Sequence, residues 1–421
     1  MVLVLATRPT AVTFADANLE AAVREAIDIP DGPISPEDLA DLTLLSAEER
    51  DVSDLTGLQY ATGLTELNLD TNQISDISPL AGLTNLTLLD LLYNQISDIS
   101  PLAGLTNLTS LDLRRNEISD ISPLEGLNGL RSLNLEYNQI GDKNLSHLIN
   151  LRNLDWLNLS GNLISDLTPL SDLSSLTQLL ISHNDISDLS PLALLTNLAF
   201  LTLANNQVSD ISPLEGLTDL GSLGLGENQI ADVSPLVSLS GLRWLSLSSN
   251  QITDISALAS LTNLTSLLLG RNPITNISPL EGLTNLGHVH LGHSNIGDLS
   301  PLSSLTGLKV LSLPSCGIAD ITFLADIIGL EFLNLRDNDI ADIGPLSGLT
   351  KLGDGAGSSV YEGIRLHLLL NNNRITNIGP LVENEGLSEG DGIDLRGNPL
   401  SEQSINEYIP ALQGRGVTVW Y

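Results

Sequence analysis

The stretch LTNLTSLDLRRNEISDISPLEG, residues 105–126, decides the fold, because the chain repeats it many times with only a few letters changed. Aligned on the asparagine of the pattern L-x-L-x-x-N-x-I, fifteen copies follow one another, and a degenerate copy carries Arg50 in the asparagine position. The step is 22 residues in most copies. A fixed period of this length predicts a stack of similar units rather than the two or three globular domains that 421 residues would otherwise suggest. The asparagine position is occupied in order by Asn72, Asn94, Asn116, Asn138, Asn162, Asn184, Asn206, Asn228, Asn250, Asn272, Ser294, Cys316, Asn338, Asn373 and Asn398.

The alternation within each copy predicts a short strand with one buried face. Leu111 and Leu113 point to one side, whereas Ser110, Asp112 and Arg114 point to the other. The residues six, four and two places before the asparagine position therefore form three outward-facing columns, which we call the first, second and third outward columns. Because one copy cannot bury its own leucines, stacked copies are expected to share one continuous core.

The remaining letters predict how each coil turns back. The side-chain amide of Asn116 can hydrogen-bond the backbone of neighbouring coils. Ile118 and Ile121 continue the buried set. Ser122 followed by Pro123 is typical of a helix N-cap with proline at the first helical position, so a short helical or 3₁₀ turn is expected there.

The pattern LxxLxxLxLxxNxIxxIxxL resembles the 22-residue leucine-rich repeat of bacterial internalins and of a protein-phosphatase regulatory subunit. The resemblance covers roughly Leu42 to Asn398, and the motif is highly specific. It implies an α/β solenoid: a leucine-rich-repeat horseshoe with a parallel β-sheet on its concave face, short 3₁₀ or helical turns on its convex face, and a helical N-terminal cap.

Three segments follow from this reading. Residues 1–41 form an N-terminal extension and helical cap, with one helix in Asp16 to Ile27 and a second starting at Ser35, where SPED matches a capping box. Residues 42–398 form an array of about 16 repeats, with a Gly/Ser-rich insertion near 353–365. Residues 399–421 form a C-terminal cap, in which a helical stripe ends at Gly414 and VTVW adds a last strand.

The composition restricts the partners. The net charge is −34, from 51 acidic and 17 basic residues, so we expect neither nucleic acid nor an anionic membrane surface as a partner. No apolar run reaches the 18 residues of a membrane span, so membrane insertion is not expected. The single cysteine, Cys316, rules out an internal disulfide. We expect a monomer that needs no cofactor and is not an enzyme.

The outward columns vary between copies and are the candidate ligand-binding surface. Along the first column, every second coil from Trp156 carries a ring, so rings recur at roughly 9.6 Å across neighbouring strands. An exposed aromatic stripe flanked by charge is typical of a protein-recognition surface. The alternative, that the rings fold over the sheet edge and complete the core, has equal weight. The candidate residues are Trp156, Phe200, Trp244, His288 and Phe332 in the first column and Leu180, Leu268, His290 and Leu369 in the second.

Two sets of polar residues raise a possible role in metal binding. His288 and His290 lie two apart on a strand and, with His293, are weak candidates for zinc, although a contact surface is the favoured interpretation. A column of aspartates lies four residues after the asparagine position. Local turn bonding is the favoured explanation for that column, and weak cation association is the alternative.

The resulting hypothesis is a non-enzymatic module, secreted or surface-displayed, that binds a protein or glycan ligand on its concave face. The alternative is a cytoplasmic regulatory scaffold similar to the phosphatase-regulatory subunit.

Overall fold

The computed structural model describes residues 11–354, 359–361 and 364–421, and for residues 359–361, 364 and 365 it describes the backbone alone. Residues 1–10 and much of the insertion near 353–365 therefore lie outside the described residues. The chain divides into two compact units, the first unit (Met1–Gln207) and the second unit (Val208–Tyr421).

The first unit is a stack of leucine-rich-repeat coils that begins with two helices, α1 (Ala17–Ile27) and α2 (Pro36–Ala40). Each coil contributes one three-residue strand, and consecutive strands pair in parallel without a register shift. A short 3₁₀ turn, such as Ser122–Leu124, lies after each strand, and α3 (Asp142–Leu145) precedes one of these turns. The strands are β1 (Leu44–Ser46), β2 (Glu66–Asn68), β3 (Leu88–Asp90), β4 (Ser110–Asp112), β5 (Ser132–Asn134), β6 (Trp156–Asn158), β7 (Gln178–Leu180) and β8 (Phe200–Thr202).

The second unit repeats this arrangement and ends with α4 (Gly379–Glu383), a π-helical turn (Ser404–Tyr408) and α5 (Ile409–Gln413). Its strands also pair in parallel, except that β15 pairs antiparallel with β16. A bulge interrupts the register between β16 and β17. The strands are β9 (Ser222–Gly224), β10 (Trp244–Ser246), β11 (Ser266–Leu268), β12 (His288–His290), β13 (Val310–Ser312), β14 (Phe332–Asn334), β15 (Ser359–Tyr361), β16 (Ile364–Leu369), β17 (Gly392–Asp394) and β18 (Thr418–Trp420).

The leucine-rich-repeat solenoid fold is confirmed by the burial pattern of the coils. Leu111 and Leu113 are almost fully buried, as are Ile118 and Ile121, whereas Ser110 on the same strand is partly exposed. Burying each aliphatic side chain of this size contributes about 1.5–3 kcal/mol, and a coil can bury its set only against the next coil.

The asparagine position links neighbouring coils, as predicted. The amide nitrogen of Asn116 donates to the carbonyl oxygens of Leu91, one coil earlier, and Leu113, at 2.9 and 3.1 Å. Its Oδ1 accepts from the backbone N–H of Ile96 at 3.0 Å. One buried side chain thus satisfies three backbone groups that turn away from the strand ladder.

The column of aspartates is explained by local turn bonding. In each case the carboxylate accepts a hydrogen bond from the backbone N–H two residues later, which starts the 3₁₀ turn. The prediction that Ser122 is an N-cap is therefore wrong, because Asp120 accepts from the backbone N–H of Ser122 instead. The eight aspartates are Asp76, Asp98, Asp120, Asp166, Asp188, Asp210, Asp232 and Asp254.

The predicted end helices are present. Asp16 caps α1 by accepting from two backbone N–H groups, and Ser35 and Asp38 form the predicted capping box of α2. Helix α5 stops at Gly414, and the predicted last strand is β18. Within the described residues, no helix is both long and apolar enough to cross a membrane.

Candidate ligand-binding groove

Five consecutive strands of the second unit carry the candidate site on their outward face. Strands β10 to β14 pair in parallel register, so their outward residues form continuous columns. The first outward column reads Trp244, Ser266, His288, Val310 and Phe332. The second reads Ser246, Leu268, His290, Ser312, Asn334 and, on β16, Leu369.

These two columns enclose a groove of about 520 Å³ whose exposed lining is mainly apolar. The structure brings together six residues that the sequence predicts separately: Trp244, Leu268, His288, His290, Phe332 and Leu369. A concave apolar site with a few polar groups is the usual form of a ligand-binding pocket. We call this site the strand-face groove.

The strand-face groove exists because small residues separate large ones. Ser266 stands between Trp244 and His288 in the first column, and neighbouring strands are about 4.8 Å apart. Trp244 and His288 are therefore about 10 Å apart with only a serine side chain between them. Trp244 is half-buried and His288 is exposed, so both project from the floor of the groove.

His290 forms part of the floor, and Gly270 makes room for it. A Cβ atom on Gly270 would lie 2.5 Å from Nε2 and 2.6 Å from Cδ2 of His290. Burial lowers the pKa of His290, and the positive charges of His293, Arg271 and Arg336 lower it further. The imidazole is accordingly neutral at pH 7 and offers one N–H donor and one acceptor nitrogen.

The far end of the groove is closed by a cluster of buried side chains. Phe332, Leu366 and Leu369 form this cluster, and Val310 and Trp420 pack against it. The prediction of an exposed face is wrong for Phe332, which is 4% exposed, and for Leu369, which is 7% exposed. Two features bury them. The bulge between β16 and β17 places Leu366 in the register of the first column. Trp420, on the last strand, packs against the same cluster.

Polar groups line one side of the groove. The side-chain amide of Asn334 donates to Ser312 Oγ at 3.2 Å, and its Oδ1 accepts from the backbone N–H of Arg336 at 3.2 Å. The guanidinium of Arg336 is partly exposed and lies 3.6 Å from the carboxylate of Asp337. Arg336 thus presents hydrogen-bond donors beside an apolar floor.

The three histidines do not form a metal-binding cluster. His288 and His290 occupy adjacent outward columns, and His293 is an exposed turn residue with φ of 62°. Among the residues described, no group of three or more His, Cys, Asp or Glu side chains is placed to hold a metal ion.

The other three candidate residues lie in the first unit, where the outward face is more polar. Trp156, Leu180 and Phe200 are half-buried at their predicted outward positions. The second column of this unit also contains Asp112, whose pKa burial raises to about 6. Nearby Asp90 shares the effect, because burial raises its pKa as well.

Sequence reasoning missed the residues that shape the groove. Ser266 and Gly270 matter because they leave space, and a repeat pattern gives no sign of which small residue does so. Leu366 and Trp420 belong to irregular coils near the end of the chain, where the 22-residue step fails. Arg336 could have been found, because it lies in the third outward column.

Comparisons with known proteins agree with the leucine-rich-repeat fold. The family described as Leucine Rich repeats (2 copies) matches residues 62–104, 106–150, 196–238 and 240–282. The crystal structure of an internalin, InlF, from Listeria monocytogenes is 37% identical to the chain, with a TM-score of 0.73. The match covers 85% of this chain and 100% of that one. No curated protein sequence is a significant match.

Two more distant structures share the fold alone. The functional domain of InlJ from Listeria monocytogenes is 23% identical, covers 92% of this chain and 83% of its own, and has a TM-score of 0.62. The leucine-rich-repeat ectodomain of the receptor kinase GASSHO1/SCHENGEN3 from Arabidopsis thaliana is 24% identical, with a TM-score of 0.71. That match covers 92% of this chain and 51% of the ectodomain.

Proposed function

Because the chain belongs to the internalin family of leucine-rich-repeat proteins, we propose that it is a non-enzymatic binding module, secreted or displayed on a cell surface. Its ligand is a protein or glycan that docks on the sheet face predicted to be concave. The strand-face groove of the second unit is the centre of the binding site.

One observation carries this proposal. Half-buried Trp244 and Leu268 and exposed His288 surround an apolar groove on the outward face of strands β10 to β12. Large aromatic side chains next to a pocket dominate the energetics of protein interfaces. Internal packing alone does not require such residues to remain accessible to solvent.

The residues of the first unit extend the proposal. We propose that Trp156, Leu180 and Phe200 also contact the ligand, with a smaller share of the binding energy because they do not line the strand-face groove. Their contribution is tested by the same binding measurement on a Trp156→Ala variant.

The test is affinity capture with the intact chain, followed by titration of the captured partner against wild type and a Leu268→Ala variant. We expect Leu268→Ala to weaken binding about tenfold, since truncating a central apolar contact costs more than 1 kcal/mol. Leu194→Ala is the matched control, because Leu194 is 75% exposed and lies outside the strand face.

Circular dichroism of both variants shows whether the fold is retained. Equal affinity of the wild type and Leu268→Ala for the partner would contradict the placement of the site.

A further inference from the structure

The charge around the strand-face groove is opposite to that of the whole chain. The strands β10 to β14, taken from the residue before each strand to the residue before the asparagine position, carry four bases and two acids. The net charge of the chain is −34, whereas the net charge of these five strand segments is positive. The bases are Arg243, Arg271, Lys309 and Arg336, and the acids are Glu331 and Asp337.

The first unit provides the comparison. The same positions on its strands β2 to β6 carry six acids and three bases. The outward face thus changes from acidic to basic between these two groups of five strands. The acids are Glu66, Asp70, Asp90, Asp112, Glu136 and Asp155, and the bases are Arg114, Arg115 and Arg131.

Two of the three arginines of the basic segment act on the groove itself. Arg271 and Arg336 both lower the pKa of His290, which forms the floor, so their positive charge reaches the interior of the groove. Arg336 also lines the groove directly. Lys309 differs, since its ammonium lies 3.0 Å from the carboxylate of Glu331.

We propose that the ligand of the strand-face groove is an acidic polypeptide segment, which inserts one apolar side chain between Trp244 and Leu268 and places carboxylates beside Arg271 and Arg336. This inference rests on the proposed function and specifies its partner. The apolar side chain supplies binding energy by leaving water, and the carboxylates supply orientation and specificity.

The chemistry favours a polypeptide over other anions. Carboxylates pair with guanidinium groups through two parallel hydrogen bonds, and Arg336 is partly exposed beside the groove. A sulfated glycan or a phosphate backbone needs clustered positive charge for its contacts, and the mainly apolar lining of the groove does not supply it. Two excess positive charges on a chain of net charge −34 do not provide such a cluster.

The experiment is a selection of random twelve-residue peptides displayed on phage, with the intact chain immobilised. The strongly negative chain repels acidic peptides in general, so their enrichment requires a local positive site. We expect the enriched peptides to carry Asp or Glu next to a Leu, Ile, Phe or Trp. Their binding should weaken as salt rises from 50 to 500 mM, because exposed charge pairs are screened.

Variants assign the binding to named residues. Synthetic copies of the enriched peptides should bind Arg336→Gln and Arg271→Gln about tenfold more weakly, as expected for the loss of a charged hydrogen bond. Arg152→Gln is the matched control, because Arg152 pairs with Asp172 on the surface of the first unit. Thermal melts of the three variants check that each is folded.

The outcomes separate this inference from the proposed function. Neutral or basic peptides that lose binding in Leu268→Ala would overturn the acidic ligand and leave the groove as the binding site. Enriched peptides that bind wild type and Leu268→Ala equally, or enrichment of none, would overturn both. The captured partner can also be competed off the chain with added polyanions. If heparin or single-stranded DNA displaces it and the acidic peptides do not, the polypeptide assignment is overturned.

Discussion

The imidazole of His290 occupies the space that a side chain on Gly270 would fill, with Nε2 2.5 Å from the position of that missing Cβ. The two residues lie on neighbouring coils, His290 on β12 and Gly270 just after β11. Glycine is therefore needed at position 270 to leave space for a neighbouring side chain, not to allow an unusual backbone conformation. It leaves the space that the ring of His290 occupies in the lining of the strand-face groove.

Replacing Gly270 by alanine should displace the ring of His290 while leaving the solenoid folded. The Cβ would lie 2.5 Å from the far end of the His290 side chain and 3.2 Å from the backbone oxygen of Gly292, so the ring has to rotate away while the backbone shifts only slightly. We expect a stability loss of about 1 kcal/mol or less and a clear loss of ligand affinity. Urea unfolding and titration with the captured partner measure the two effects. Unchanged affinity would show that His290 does not shape the binding surface.

Two aromatic residues of the first outward column differ in burial: Phe332 is buried and Trp244 is half-buried. Phe332→Ala should lower the free energy of unfolding by about 3 kcal/mol or more, because its ring is buried against Leu366 and Leu369. Trp244→Ala should cost less than half as much, since Trp244 is only half-buried. Denaturant unfolding of both variants decides the matter. Equal losses would mean that Trp244 also belongs to the core.

The repeat could be predicted from the sequence because its buried positions obey one rule. Leu111, Leu113 and Asn116 perform the roles that alternation and side-chain chemistry assign to them. The burial of Phe332 could not be predicted, since it depends on Trp420 and on a register bulge far along the chain. Local periodicity contains no information about such long-range contacts.

The same limit applies to the backbone at the edge of the strands. The residue before the asparagine position adopts a left-handed conformation in most coils, with φ of 54° at Arg115 and 50° at Tyr137. Neither residue is a glycine, so the letters alone give no sign of it. The hydrogen bonds of the asparagine that follows hold this conformation in place.

Stability should depend on pH through Asp112. Its pKa is raised from 3.8 to about 6, chiefly by burial. A raised pKa means that the protonated form is favoured in the folded state, so this contribution is present below pH 3.8 and is lost as pH rises through about 6. Asp112→Asn should therefore gain stability relative to wild type, by about 2–3 kcal/mol, between pH 4 and pH 7.

Urea unfolding of the wild type and Asp112→Asn at both pH values measures that relative change. The backbone N–H of Arg114, which donates to Asp112 Oδ1 at 3.0 Å, keeps an oxygen acceptor in the variant. Comparing the difference between the two proteins cancels the titration of the other acids. A difference that does not vary with pH would contradict the raised pKa.

The protein should become more stable if asparagine is restored at a coil where the asparagine position holds another residue. Ser294 is buried, and its hydroxyl donates to the carbonyl oxygen of Asn272 at 3.0 Å. Asn272 itself donates to three backbone carbonyls and accepts from the N–H of Ile252. A surface depression of about 330 Å³ is lined by Ser294 and Cys316.

Ser294→Asn should accordingly raise the free energy of unfolding by about 1–2 kcal/mol, because each added hydrogen bond contributes about 1 kcal/mol. Thermal unfolding followed by circular dichroism checks this expectation. Ser240→Asn, at an exposed position away from the asparagine column, serves as the control. A lower melting temperature for Ser294→Asn would mean that the interrupted coil has no space for the amide.

The most direct test fills the strand-face groove without removing any of its walls. Ser266→Phe places a ring between Trp244 and His288, and Ser110→Phe places the same ring in the first outward column of the first unit. We predict that both variants melt within a few degrees of the wild type and that only Ser266→Phe abolishes binding of the captured partner in calorimetric titration. Full affinity of a folded Ser266→Phe variant would contradict the assignment of the groove as the binding site.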